Sequence, residues 1–359
     1  LRGVCYQSIG VVEWLELPDA SIESDQDAVV QVEIAGMCGS DLHPLFGREK
    51  GPDPGTVMGH EFVGKILAIG SSVRNFQIGD RVYSPFSTSC GNCFYCLRGL
   101  TSRCTLGQLI GRRKNGQGLH GGQAELIRVP LADGTLVRVP VGLSAESALL
   151  LGDNLSTGYF CAEMANIAPE GVTAIIGCGS VGLLSIMSAQ FQGARNIVAI
   201  DPVEERRQKA MELGVVAFEP GSAALDWVMQ NTSGRGADSV MELVGLPDAQ
   251  RLAYEIIRPG GTMSVIGCHS SPTFAFAPSQ AYDKNLTYRT GRCPARYYMG
   301  LLSERVIQQK WNIGAMITHR FQPSDCKRAY DIFANQKQGC IKSVFEFTTT
   351  VRQRQPSGA

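Results

Sequence analysis

The chain has 359 residues, 44% hydrophobic and 18% charged, and its 33 Lys+Arg are balanced by 33 Asp+Glu. That length exceeds what one hydrophobic core usually organises and predicts two domains, one of them free to be discontinuous. The charge balance gives no global attraction to nucleic acid or to an anionic membrane, so a small neutral molecule is the partner expected.

The first third reads as β and loop. "AVVQVEIAGMCGSDL" alternates apolar and polar residues before breaking at Gly36 and Gly39, and "KILAIGSSV" and "DRVYSPF" read as further short strands. From Thr173 the texture changes to apolar strands alternating with helical segments, the pattern of a parallel sheet covered on both faces. The predicted strands are "VTAII", "NIVAI", "VVAF", "DSVMELV" and "TMSVIG"; the helices between them include "VEERRQKAMEL", ending at Gly214, and "PDAQRLAYEIIR", stopped by "PGG". Amphipathic helices are expected near Tyr297 to Lys310 and Pro323 to Gln336, then a strand "CIKSVFEF", and these last elements are expected to return to the first domain. From Gly171 to Ala194 no residue is charged, enough to span a bilayer, but Gly177, Gly179 and Gly182 interrupt the run; a strand, turn and buried helix account for it instead. No signal peptide is read at the start, although the chain begins at Leu1 without Met, and the tail "VRQRQPSGA" carries no retention or lipidation motif.

The cysteines carry the first chemical signal. Of 12, four crowd together as Cys90, Cys93, Cys96 and Cys104 in C-x2-C-x2-C-x7-C, a spacing that lets one loop wrap four thiolates around an ion. Zinc is favoured over an iron–sulfur cluster, whose common motifs have Cys-Pro or longer gaps. Four thiolates leave no open position, so this site is expected to hold the loop and not to catalyse. Free thiolates on zinc also place the chain in a reducing compartment, the cytoplasm.

"AIIGCGSVG" supplies Gly177, Gly179 and Gly182 as GxGxxG, directly after an apolar strand and opening a helix. The following strand ends at Asp201, nineteen residues beyond the third glycine, where a carboxylate can accept from both hydroxyls of a ribose. The glycines let the backbone approach a pyrophosphate, whose charge would sit against the helix N-terminus near Ser180 and Val181. Asp201 would repel the additional phosphate of NADP, so NAD is expected; Arg206 and Arg207 nearby could neutralise such a phosphate if their loop turned inward.

A second metal site is suggested by "CGSDLH", with Cys38, Ser40, Asp41 and His43 in six residues, and by His60 beside Glu61. The segment from Gly59 to Val73 fits GHExxGxxxxxGxxV at every fixed position. In this, in "CGSDLH", in the four-cysteine loop and in the glycine motif, the chain resembles the zinc-containing medium-chain alcohol dehydrogenases along essentially its whole length. The resemblance implies a catalytic zinc held by Cys38, His60 and a third ligand, with Glu61 as an alternate ligand. The third ligand is a cysteine in many members; "DNLSTGY" puts Asp153 there, as in the formaldehyde-dehydrogenase-like branch. The resemblance further implies that zinc lowers the pKa of the alcohol, that Ser40 and His43 carry the proton out, and that Phe86 lines the substrate pocket. Asp41 is cast as the acceptor that fixes the tautomer of His60. Arg206 is implied beside the adenosine ribose, Thr157 on the nicotinamide side and Lys342 at the pyrophosphate.

The expectation is therefore an α/β protein with a GroES-like, mostly-β catalytic domain from residues 1–153 and 294–359, and a Rossmann doubly wound domain from 154–293. Its function is expected to be hydride transfer between an alcohol, or the matching aldehyde or ketone, and NAD(H), with two zinc ions per chain. A formaldehyde or aldehyde dismutase with tightly held NAD and a non-catalytic nucleotide-binding protein are the alternatives. A homodimer or homotetramer is implied by the resemblance. The basic segment "RTGRCPARYY" leaves Arg292 and Arg296 as groups that could meet a polar or anionic substrate, a nucleotide phosphate or another subunit.

Overall fold

The computed structural model describes residues 1–347; the tail motif reading lies outside the described residues. Two sheets dominate. The strands Val216–Phe218, Asn196–Ile200, Val172–Ile176, Ala237–Glu242, Ile257–Val265 and Thr287–Thr290 stand side by side in that order, every neighbouring pair parallel. Read outward from Val172–Ile176, the chain builds one half of the sheet and then crosses over to build the other, the doubly wound arrangement.

Residue parity explains why both faces are covered. In Val172–Ile176 every side chain is buried. Ile175 packs with Ala199, Met241, Leu183 and Ile186 on one side, whereas Ala174 and Ile176 pack with Val198, Ile200, Val228 and Ala253 on the other. Each Val, Leu, Ile or Met among them contributes about 1.5–3 kcal/mol by leaving water. The uncharged run from residue 171 to 194 is resolved by this packing into the strand and the helix Ser180–Phe191. Among the described residues no helix is long and apolar enough to cross a membrane.

The other large sheet is mostly antiparallel, with Val137–Arg138, Arg81–Tyr83, Phe62–Ile69, Ala28–Gly36, Ser343–Glu346 and His319–Phe321 in order and Leu126–Val129 also paired to Ala28–Gly36. Its C-terminal strands are supplied from the far end of the sequence: Val344 faces Gly36 and Glu346 faces Ile34 across an antiparallel ladder. Three helices, Ala145–Gly152, Asn154–Met164 and Ala295–Gln308, share one continuous core with the antiparallel sheet and the helix Ser180–Phe191, a core that includes Ile34, Val63, Val344, Leu149, Leu184 and Met299. The predicted helices appear as Glu204–Glu212, Pro247–Ile256, Ala295–Gln308 and Cys326–Ala334, the last preceded by a 3-10 turn at Pro323–Asp325.

Candidate active site

Four side chains from three separate segments converge between the two sheets. Cys38 follows the strand Ala28–Gly36, His60 and Glu61 precede Phe62–Ile69, and Asp153 breaks the helical run between Ala145–Gly152 and Asn154–Met164 with a non-helical φ of −141°. One ligand atom from each lies within 4.8 Å of the others, close enough to share an ion. Cys38 Sγ is 3.5 Å and His60 Nε2 is 3.4 Å from Asp153 Oδ2. On its other nitrogen His60 faces Asp41, with Nδ1 3.2 Å from Oδ1, and the second oxygen of Asp41 accepts the Cys38 N–H at 2.9 Å. Asp41 thus ties the backbone of one donor to the ring of the next and turns His60 Nε2 toward the shared point.

The electrostatics of the set fit a bound cation. Burial would depress His60, yet the charges and hydrogen bonds of Asp41 and Asp153 hold its pKa well above the usual imidazole range. Burial and the Asp153 charge push the Cys38 thiol up. Asp153, against the cost of its own burial, is held down to about 2 by His60 and Lys342. The group therefore carries protons on His60 and Cys38 that a divalent ion would displace, and the mixed thiolate, imidazole and carboxylate donors suit zinc.

Glu61 takes a different part. It is wholly buried and its carboxylate is met by Lys342 Nζ at 2.7 and 2.5 Å, while Asn154 Nδ2 donates to Oε1 at 2.7 Å. Lys342 is equally buried, and its remaining contact is the Met37 carbonyl at 2.9 Å. The ammonium of Lys342, the residue expected at a pyrophosphate, contacts Glu61 and the Met37 carbonyl. The ladder that seats Ser343–Glu346 beside Gly36 fixes this position. Gly36 is required there, because a Cβ would stand 1.9 Å from Glu61 Oε2.

Ser40 lies half-buried in the short 3-10 turn Gly39–Asp41. His43, one turn on, is buried with its Nδ1 lacking any partner among the described residues, and burial lowers its pKa. The Phe86 ring stands edge-on to His60 with centroids 6.3 Å apart. The Thr157 hydroxyl, expected toward a nicotinamide, donates to Asp153 Oδ1 at 2.9 Å.

Away from this point, Cys90, Cys93, Cys96 and Cys104 bring their Sγ atoms within 4.8 Å of one another. The Cys90 N–H points at Cys104 Sγ at 3.2 Å. The backbone N–H groups of Cys96 and Thr105 pull the Cys93 thiol down to about 5, whereas burial drives Cys96 up to about 12. Four thiols this close cannot all ionise without a cation among them, and the cluster matches a tetrahedral zinc site.

The glycine motif turns at Gly177, with φ +95°, and a Cβ on Gly182 would stand 1.9 Å from the Gly177 carbonyl, so strand and helix Ser180–Phe191 could not approach as they do with any side chain there. Asp201, at the end of its strand, accepts the Cys178 N–H at 2.7 Å through Oδ2 and the Val203 N–H at 2.9 Å through Oδ1. Arg206 Nη1 lies 3.9 Å from the same carboxylate, with its Nε buried and without a hydrogen-bond partner among the described residues. Arg207 is committed to the Asp201 and Pro202 carbonyls. The two sites are mechanically joined: Gly158, in the helix that begins after Asp153, packs so closely on the nucleotide helix that a Cβ would meet Ser185 Oγ at 2.8 Å.

Two charged contacts were not legible in the sequence. One is Lys342 with Glu61. The other is His269, whose Nε2 is 2.8 Å from Glu242 Oε2, while the other oxygen of Glu242 accepts the N–H groups of Val244 and Gly245 at 2.8 Å each. The only hint of the second was an acid at the end of the strand Ala237–Glu242.

Comparison with known proteins agrees with this architecture. Residues 24–141 match the family model described as alcohol dehydrogenase GroES-like domain, and residues 180–303 match zinc-binding dehydrogenase. The chain is 37% identical over 346 residues to the zinc-type alcohol dehydrogenase B of Aspergillus flavus, covering 94% of this chain and 79% of that protein. It is 27% identical over 353 residues to the NADP-dependent isopropanol dehydrogenase of Clostridium beijerinckii, covering 96% of this chain and 99% of that one. Among solved structures it is similar to the alcohol dehydrogenase of Thermus sp. ATN1, with a TM-score of 0.91 and 33% identity over 97% of this chain and 100% of the other. Two donor clusters of zinc-binding chemistry, a glycine-turned nucleotide sheet and this whole-length similarity together assign the chain to the zinc-containing medium-chain alcohol dehydrogenase family, oxidoreductases that combine zinc with a nicotinamide cofactor and act on small molecules.

Proposed function

We propose that the chain oxidises an alcohol, or reduces the matching carbonyl, with NAD(H) as its nicotinamide cofactor and two zinc ions per chain. The observation that carries this reading is the convergence of Cys38, His60, Glu61 and Asp153 within 4.8 Å, locked by the Gly158 contact to the helix that opens the nucleotide site. Cys38, His60 and Asp153 would hold the catalytic ion, with Glu61 behind them, and the thiols of Cys90, Cys93, Cys96 and Cys104 the structural one. When bound, the catalytic zinc supplies positive charge that lowers the pKa of an alcohol hydroxyl.

The chain's own groups do the rest. Asp41 orients His60 through Nδ1. The Ser40 hydroxyl, two residues from Cys38, takes up the proton released by the alcohol, and His43, neutral because burial lowers its pKa, passes a proton on to water. Phe86 walls the pocket and keeps water from the reacting carbon. Gly177, Gly179 and Gly182, with the amides of Ser180 and Val181, receive the pyrophosphate, and Thr157 bounds the nicotinamide side through its bond to Asp153. The Asp201 oxygens each accept one N–H and retain a free lone pair, enough for two ribose hydroxyls, and their charge disfavours a 2′-phosphate; Arg206 flanks the same ribose. Division into 1–153 with 294–359 and 154–293, a homodimer or homotetramer, and residence in the cytoplasm, in keeping with twelve free cysteines, complete the reading.

The test is a panel of primary, secondary and polyol substrates with NAD and NADP, followed at the absorbance of the reduced nicotinamide, with zinc counted by elemental analysis. Turnover of an alcohol with NAD at about two zinc ions per chain is expected; no turnover of any alcohol or carbonyl with either cofactor in zinc-replete protein would overturn the assignment.

A further inference from the structure

Cys38 and His60 stand on separate segments, and one side chain touches the backbone that leads into both. Gln123 is wholly buried, and its Nε2 donates to the Gly36 carbonyl at 2.9 Å, two residues before Cys38. Gly36 lies just beyond the last paired residues of its ladder, Ala35 and Phe62; its N–H still reaches the Glu61 carbonyl at 3.0 Å, and Gln123 takes its carbonyl. The Gln123 N–H donates to the Met58 carbonyl at 3.0 Å and the Gly122 N–H to the Gly59 carbonyl at 2.9 Å, immediately before His60. Gly59 has a φ of +80°, and a Cβ on it would stand 2.5 Å from Gln123 Cγ and 2.8 Å from Nε2, so the amide lies across the turn that delivers His60.

The orientation of the amide is fixed at its other end. Gln123 Oε1 accepts the Tyr330 hydroxyl at 2.8 Å, and Tyr330, in the helix Cys326–Ala334, is buried as well. A carbonyl can only accept, so Nε2 must face Gly36 and Oε1 must face Tyr330; a flipped amide would set two oxygens against each other. A buried amide with one end unbonded is costly, and a side chain needed only to fill this space could be apolar. Both ends of Gln123 are bonded, and the bonds run from the helix Cys326–Ala334 to the segment that carries Cys38.

We infer that Gln123, oriented by Tyr330, is a positioning residue that sets the separation of Cys38 and His60 and with it the fit of the catalytic ion. The inference rests on the proposed zinc reading and deepens it. Asp41 links the Cys38 N–H to the His60 ring, and Gln123 links the stretches of backbone that lead into both residues, so the two donors are braced twice. The C-terminal helix thereby acts on a site to which it contributes no donor.

The experiment uses Gln123→Met, which keeps the length of the side chain and loses both hydrogen bonds, and Tyr330→Phe, which removes one hydroxyl. Cobalt replaces zinc, because its visible bands report the geometry of its donors, and Cys38→Ala supplies the spectrum of the four-cysteine site for subtraction. In both folded variants the catalytic-site bands should shift, and a chelator should strip that site about tenfold more readily, the equivalent of one buried hydrogen bond. Metal at the four-cysteine site should keep its parental bands and its parental resistance to the chelator. If both variants melt lower yet keep the parental catalytic-site bands and chelator resistance, or if both metal sites loosen equally, Gln123 only packs, and the inference fails while the zinc reading stands. A shift in Gln123→Met but not in Tyr330→Phe would overturn the part given to Tyr330. If cobalt gives the same spectrum in the parent as in Cys38→Ala, no ion binds at Cys38, and the zinc reading itself fails and takes the inference with it.

Discussion

Lys342→Met removes the counter-ion of a carboxylate that has no access to water. Both partners of the Lys342–Glu61 pair are 0% exposed, and the ammonium contacts both oxygens of Glu61 and the Met37 carbonyl. Methionine fills a similar volume, so packing is nearly kept and the loss is electrostatic. Breaking a buried pair from one side costs about 3–5 kcal/mol, because the remaining charge stays desolvated. The Asn154 amide still donates to Glu61 Oε1 and offsets part of this, which sets the expectation near the lower end, about 3 kcal/mol. The assay is urea unfolding followed by circular dichroism at fixed zinc content, with Glu61→Gln and the double variant Glu61→Gln/Lys342→Met completing a cycle. The double variant has no buried charge at this point and should recover at least half of the loss. A single variant less than about 1 kcal/mol below the parent, or a double variant no more stable than Lys342→Met, would mean that the pair is not desolvated and that the argument from burial is wrong.

Cys93→Ala should lower the zinc content from about two ions per chain to about one and reduce the melting temperature, since closed zinc sites contribute directly to folding; an unchanged zinc count removes the structural site. In Asp201→Ala the carboxylate that holds the Cys178 and Val203 N–H groups is lost together with its repulsion of a 2′-phosphate. The ratio of kcat/KM for NAD over NADP should fall about tenfold or more, alongside a loss of stability, and a ratio that holds in folded protein would detach Asp201 from the ribose. His120, whose Nδ1 accepts the Val57 N–H, has its pKa lowered to about 4 by burial and by Arg113. Its folded pKa lies below the unfolded value, so the neutral ring contributes stability above about pH 6.5 that is lost as pH falls toward 4. The urea midpoint of the parent should drop more steeply over that window than that of His120→Gln, and parallel profiles would refute the assignment.

The sheet that carries the nucleotide motif was the most legible part of the molecule, for a physical reason. "VTAII" and "NIVAI" coincide with Val172–Ile176 and Asn196–Ile200 because strands buried on both faces must be continuous apolar runs. The sixth strand, Thr287–Thr290, escaped notice: it lies at the sheet edge with three of its four residues exposed, so its letters follow no apolar pattern. The helix Ser222–Asn231 was missed as well, since only Ala224 and Val228 of it are buried. The donor atoms that gather within 4.8 Å were singled out from local letters, Cys38 by Ser40 and His43 close after it, and Asp153 by its place in a resemblance. The contact between Glu61 and Lys342 joins groups 281 residues apart and has no local signature at all.

That returning strand orders events during synthesis. The ladder between Ser343–Glu346 and Ala28–Gly36 forms late, and the neutralisation of Glu61 that goes with it waits until Lys342, 281 positions downstream of Glu61, has left the ribosome. At about 5–20 residues per second, the first sheet waits roughly 14–56 s with one edge unpaired and an acid awaiting its base. The parallel sheet, whose strands all fall between Val172 and Thr290, can close during that interval. The nascent chain can therefore complete its nucleotide platform first, and the sheet beside Cys38 and Glu61 only once Ser343–Glu346 has emerged.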